Sequence, residues 1–165
     1  MKTILVPTDF NIESTKIIDA LLQNLPGTQL NIIFLHAFKL SDSITDMLML
    51  SRRSRDYDNI SDDFYNILNQ YKENYPLQIG AIGIEYFYGS TVAAFKNFIE
   101  NFEVEHIAYP VDYNFKSINK YSIDPKILIE RSGRKIMYLD IPALPQGENL
   151  MSTKIKDPTL ETSNS

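Results

Sequence analysis

Residues 30–38 read LNIIFLHAF, a nine-residue stretch broken only by Asn31 and His36. A strand with one wet face alternates apolar and polar residues, because successive side chains point to opposite sides of the sheet. This one does not alternate. It needs apolar cover on both faces, which is the environment of a parallel sheet sandwiched between helices. Residues 3–6, 81–88 (AIGIEYFY), 106–109 (HIAY) and 135–140 (KIMYLD) read as further strands, short and apolar. Pro110 is expected to end the fourth.

Between these runs the apolar period lengthens to that of a helix. Ile17, Ile18, Leu21, Leu22 and Leu25 make one face, with Asn11 as a cap and Pro26-Gly27 as a stop. Ile60, Phe64, Ile67, Leu68 and Tyr71 make a second face, ending near Tyr75-Pro76. Val92, Phe95, Phe98, Ile99 and Phe102 make a third. Asp124-Pro125 reads as a capping carboxylate with proline at the first helical position, and Gly133 closes that helix. Strand and helix alternate, and right-handed crossovers then give a doubly wound sheet. Ligands of such sheets lie beyond the carboxyl ends of the strands, where strand order reverses. Asp9, just after the first strand, stands at that edge.

Length and composition narrow the function. A chain of 165 residues is expected to form one domain, here residues 1–140, with 141–165 as a flexible tail containing three prolines. Ile141, Leu144 and Leu150 are its local docking candidates. The absence of cysteine excludes disulfides, thiol nucleophiles and thiolate metal sites. With no leader-like opening segment, the expected location is the cytoplasm. No apolar run approaches the roughly 20 residues that cross a bilayer. Sixteen Lys plus Arg against 21 Asp plus Glu give a net charge of -5, which argues against nucleic acid as a partner. The two histidines, His36 and His106, lie far apart, and no metal-ligand spacing occurs.

The opening ILVPTDF (residues 4–10), a capped helix, a strand closing in FLHAF, and later EHIAYP (residues 105–110) followed by a loop, a helix and KIMYLD resemble the universal stress protein family (UspA-like domain). The resemblance covers residues 2–140. It implies an α/β fold with a five-stranded parallel sheet of order 3-2-1-4-5, a Rossmann-like three-layer sandwich of the adenine nucleotide alpha hydrolase type. It also implies a homodimer, through the last strand Lys135–Asp140. In the members that bind ATP, an aspartate after the first strand contacts the nucleotide, by position Asp9. Backbone after the second strand lies near the adenine, here around Ala37. The phosphates lie on a glycine-rich loop after the fourth strand.

That loop departs from the pattern. Residues 110–125 read PVDYNFKSINKYSIDP and contain no glycine. A phosphate cradle needs consecutive backbone N–H groups aimed at one point, and glycine permits the angles and the close approach. Pro110 stands at the first glycine position and has no N–H. Tyr113 and Phe115 add bulk, and Asp124 already places a carboxylate at the following helix start, where it repels a second anion.

The remaining residues carry two readings each. Asp9 and Thr8 serve as turn and cap residues, or Asp9 touches a ligand. Lys116 and Lys120 are solvated loop lysines, or point charges for an anion. Tyr113, Phe115 and Tyr121 fill the vacated cleft, form a contact surface, or stack on a base. His36 and His106 read as structural, Ser14 and Thr15 as capping. The Met47-Leu48-Met49-Leu50 cluster covers the sheet edge, or forms a lid or a protein-partner helix. Arg52, Arg53 and Arg55 read as a solvated face. The expectation is a non-enzymatic, dimeric universal-stress-type protein without catalytic residues, metal or cofactor. The alternative is an ATP-binding protein with an atypical phosphate loop, using Asp9, Ala37 and Lys116.

Overall fold

A computed structural model describes residues 1–39, 60–118 and 121–141. The expectations for residues 41–59, including Met47–Leu50, Arg52, Arg53 and Arg55, for Lys120, and for the tail beyond Ile141 lie outside the described residues. In chain order the elements are strand β1 (Lys2–Pro7), a 3-10 turn (Ile12–Lys16), α1 (Ile17–Asn24), β2 (Leu30–Phe38), α2 (Asp62–Asn74), β3 (Ile79–Tyr88), α3 (Val92–Asn101), β4 (His106–Val111), β5 (Ser122–Ile123), α4 (Lys126–Glu130) and β6 (Lys135–Asp140).

Five of the strands form a sheet in the order β3-β2-β1-β4-β6, with parallel neighbours throughout. This is the 3-2-1-4-5 order that the resemblance implied, the last strand being sixth in the chain because β5 intervenes. The apolar strands are explained by two cores, one on each face. Ile4, Val6, Ile32 and Phe34 pack with Ile17, Ile18 and Leu21 of α1 and Phe64 and Leu68 of α2. Leu5, Ile33, Leu35 and Ala37 pack with Phe95 and Ile99 of α3 and Leu128 and Ile129 of α4. Adjacent residues of one strand thus enter opposite cores, and every position on β2 except the half-buried Asn31 is buried.

The helix starts follow local chemistry. Ser61 caps α2 by accepting the Phe64 N–H at 3.1 Å, and Thr91 caps α3 by accepting the Ala94 N–H at 3.1 Å. Asn11 holds the cap position of the 3-10 turn without a side-chain bond.

Three expectations need correction. Pro110 does not end β4 but pairs with Leu139 within it. The β1–β4 pairing stops at Ile107, so a proline beyond that point interrupts no ladder on the β1 side. Pro125 is the cap residue of α4 rather than its first helical position, and helix begins at Lys126. The stretch between β4 and α4 is not all loop: β5 pairs antiparallel with the end of β2, Ile123 opposite Ala37 and Ser122 opposite Phe38.

His106 opens β4 opposite Ile4 and Lys135. Its Nδ1 is buried and has no hydrogen-bond partner among the described residues. Burial foremost, then the charges of Lys2 and Lys135, lower its pKa from the ordinary 6.5, with Glu105 opposing. The folded state therefore holds fewer protons than the unfolded chain below that value. Stability present above it is lost as pH falls toward the lowered folded pKa. Urea midpoints measured between about pH 7 and about pH 5.5 should fall with pH, and His106→Gln should flatten the slope. An unchanged slope in that variant removes His106 as the cause.

Candidate functional site

The site lies at the carboxyl edge of the sheet, where order reverses between β1 and β4. β1 stops at Pro7 and the chain turns sharply. The turn is fixed by its own short side chains. Thr8 Oγ1 accepts the Phe10 N–H at 2.9 Å, and lies 2.7 Å from Ser14 Oγ. Ser14 gives its hydrogen to the Asn11 carbonyl at 2.7 Å, so Thr8 is the donor to Ser14. Phe10 adopts φ 64, a left-handed conformation that costs a bulky residue about 1–2 kcal/mol. Its ring is buried against His36, Phe64 and Tyr86, at centroid distances of 5.6, 5.4 and 5.7 Å, which offsets that strain.

Asp9 is 6% exposed. Its Oδ1 accepts the Asn11 N–H at 3.1 Å and the Tyr113 hydroxyl at 2.8 Å, and its Oδ2 accepts the Lys116 N–H at 3.0 Å. The first bond is the turn role expected of this residue. The other two reach across the crevice to the segment after β4. Burial, then the bond to Asp9 and its charge, push the Tyr113 phenol far above its ordinary 10.0, so it remains a donor. Phe115 packs between Tyr113 and Tyr109, at 5.0 and 5.8 Å. β5 then lies along the last residues of β2, past the point where β1 ends, and the Lys39 N–H bonds the Tyr121 carbonyl at 2.9 Å. Residues 112–118 and 121–123 thus fold back over the reversal point.

Among the three candidate contacts, Asp9 is engaged by the chain itself, and Ala37 is buried under β5. Lys116 meets Asp9 through its backbone N–H, while its side chain is exposed. Asp124 Oδ1 accepts the Lys126 N–H at 3.0 Å and the Tyr109 hydroxyl at 3.3 Å, which keeps a carboxylate at the start of α4. A cavity of about 110 Å³ remains beside β5, lined by Thr8, His36, Ala37, Phe115, Ser122 and Asp124 among others. His36 is buried there, with Nδ1 2.8 Å from the Thr8 carbonyl oxygen and Nε2 2.8 Å from Ser122 Oγ. Sequence reading took His36 as structural and did not single out Ser122. The two lie 86 positions apart and meet only through the β2–β5 pairing, so no local signal links them. Tyr121 packs on the first core.

No protein-family model matches the sequence, and no curated protein matches it. Solved structures do match. The universal stress protein UspA from Lactobacillus plantarum is 13% identical, over 84% of this chain and 97% of that one, with a TM-score of 0.52. The hypothetical protein PH0823 is 12% identical, over 87% and 99%, with a TM-score of 0.51. The hypothetical protein MJ0577 is 12% identical, over 86% and 97%, with a TM-score of 0.50. The chain has the universal stress protein fold. Within that fold Asp9 lies just past β1, at the position the sequence resemblance assigned to it, with Tyr113 and Lys116 against its carboxylate.

Removing the carboxylate strands three donors at once, whereas removing the phenol hydroxyl breaks one bond. Asp9→Ala should lower unfolding free energy by about 2–4 kcal/mol and Tyr113→Phe by about 1–2 kcal/mol. Chemical denaturation reads both, and equal losses would show that the Asn11 and Lys116 bonds add nothing beyond the Tyr113 bond.

Proposed function

We propose that this chain is a universal-stress-type protein whose nucleotide crevice is occupied by its own segment, and that it acts as a homodimer without binding or hydrolysing ATP. The observation that carries this reading is the Asp9 carboxylate, which accepts three hydrogen bonds from Asn11, Tyr113 and Lys116. A nucleotide meeting Asp9 has to displace Tyr113 and the backbone of Lys116. The glycine-free sequence from Pro110 to Pro125 and the carboxylate of Asp124 at the start of α4 act in the same direction.

The dimer reading rests on β6. Among the described residues this strand pairs only with β4 and forms one border of the sheet. Such a strand presents unpaired backbone groups to another chain. Tyr138 on it is 54% exposed and Ile127 of the preceding helix is 62% exposed, both large apolar side chains that a second copy would cover. A protein of this kind works through its surfaces, in stress response or signalling.

Two measurements test the reading. Ligand at 100 times its dissociation constant stabilises by about 2.7 kcal/mol, roughly 5–10 °C for a domain of this size. Millimolar ATP with Mg²⁺ should leave the thermal midpoint unchanged, and a rise of that size would restore the ATP-binding alternative through Asp9, Ala37 and Lys116. Light scattering at micromolar concentration should report twice the chain mass, and Tyr138→Lys should halve it. A monomer before substitution rules out the dimer.

A further inference from the structure

We propose that Ser122 and His36 form an activated nucleophile–base pair, and that Ser122 accepts a short, uncharged acyl group from an activated ester. The inference stands apart from the nucleotide reading and departs from the expectation that the chain does no chemistry. It rests on the direction of two hydrogen bonds and on the cavity beside them.

The Thr8 carbonyl can only accept, so Nδ1 of His36 carries the proton in that 2.8 Å bond. In the neutral ring Nε2 is then an acceptor, and it lies 2.8 Å from Ser122 Oγ. The serine hydroxyl therefore points its hydrogen at the imidazole, as a nucleophile does toward its general base. Ser122 Oγ also accepts the Ile118 N–H at 3.0 Å, which helps to fix the hydroxyl in its orientation toward His36. Both partners are held by backbone pairing, His36 on β2 and Ser122 on β5, so the pair is assembled before any substrate arrives. Thr8 is the positioning residue that fixes the tautomer.

Both side chains line the cavity of about 110 Å³. That is room for several waters or an acetyl-sized group, not for a long chain. Apolar lining from Leu35, Ala37, Phe115 and Ile123 suits an uncharged acyl group, and the two charged residues of the wall, Lys116 and Asp124, are of opposite sign. In the step, Ser122 Oγ adds to the ester carbonyl carbon as His36 Nε2 takes its proton. The bond to the leaving alcohol then breaks, and the alcohol departs with that proton. Ser122 is left as an ester and His36 neutral. Water cleaves this ester by the same route, His36 taking the water proton and returning it to Ser122 Oγ as the free acid leaves.

The test uses p-nitrophenyl acetate on the full chain, with p-nitrophenol release and peptide mass spectrometry as readouts. Expected are a stoichiometric burst and one acetyl group mapped to Ser122. Ser122→Ala should abolish the burst, and His36→Gln should slow it by about 100-fold or more. A decanoyl ester should give no burst. Site mapping on the unaltered protein needs no variant, so a folding defect in either substitution leaves the answer intact. Acetyl found only on lysine or tyrosine, or a burst insensitive to both substitutions, overturns the proposal and leaves the pair as a staple between β2 and β5.

Discussion

The carboxylate of Asp9 is the constraint on which the whole carboxyl edge depends. It is buried at the point where the sheet reverses order, and a buried carboxylate needs hydrogen-bond donors around it. One donor is local, the Asn11 N–H. The other two, from Tyr113 and Lys116, fix a segment more than a hundred positions away. Once that segment is fixed, Phe115 is drawn against Tyr109, and β5 reaches the end of β2. The burial of Asp9 and the closure of the crevice are one event, since the segment that buries the carboxylate also satisfies it.

The layers were legible in the sequence because they depend on period. The nearly continuous apolar character of residues 30–38 demanded two covered faces, and the structure supplies a core on each. The helical faces around Ile17, Phe64 and Phe95 were likewise set by spacing. The strand order came from the resemblance, not from the residues. What period does not encode is pairing across the chain. Ser122 and Ile123 become a strand only because β2 extends past β1, and nothing in their own sequence demands it. Pro110 misled for the same reason. Its missing donor matters only beside a ladder, and β1 has already ended its pairing there.

The candidate site was half legible. Asp9 and Thr8 were read as turn residues, and both do act within the turn. Tyr113 and Phe115 were read as filling the vacated cleft, forming a contact surface or stacking on a base, and they lie in the cleft. The reason for their position was hidden, because the Asp9–Tyr113 bond is a tertiary contact without local signature. His36 was judged by the absence of partners near it in sequence. Its partners, Thr8 and Ser122, arrive from 28 and 86 positions away.

This arrangement also determines how a ligand competes for the crevice. A molecule that needs Asp9 binds only when the segment from Asp112 to Ile118 has moved away, so its apparent affinity is reduced by the fraction of open protein. Each 1.4 kcal/mol of closure weakens binding tenfold, and several hydrogen bonds, one carboxylate and the packing of Phe115 act together. The cavity beside Ser122 has no such cost, since it exists with the segment closed and is lined by it. The closure that opposes a large anionic ligand at Asp9 is therefore the same closure that builds the small pocket at His36. Whatever this edge of the sheet does, it does with the segment in place.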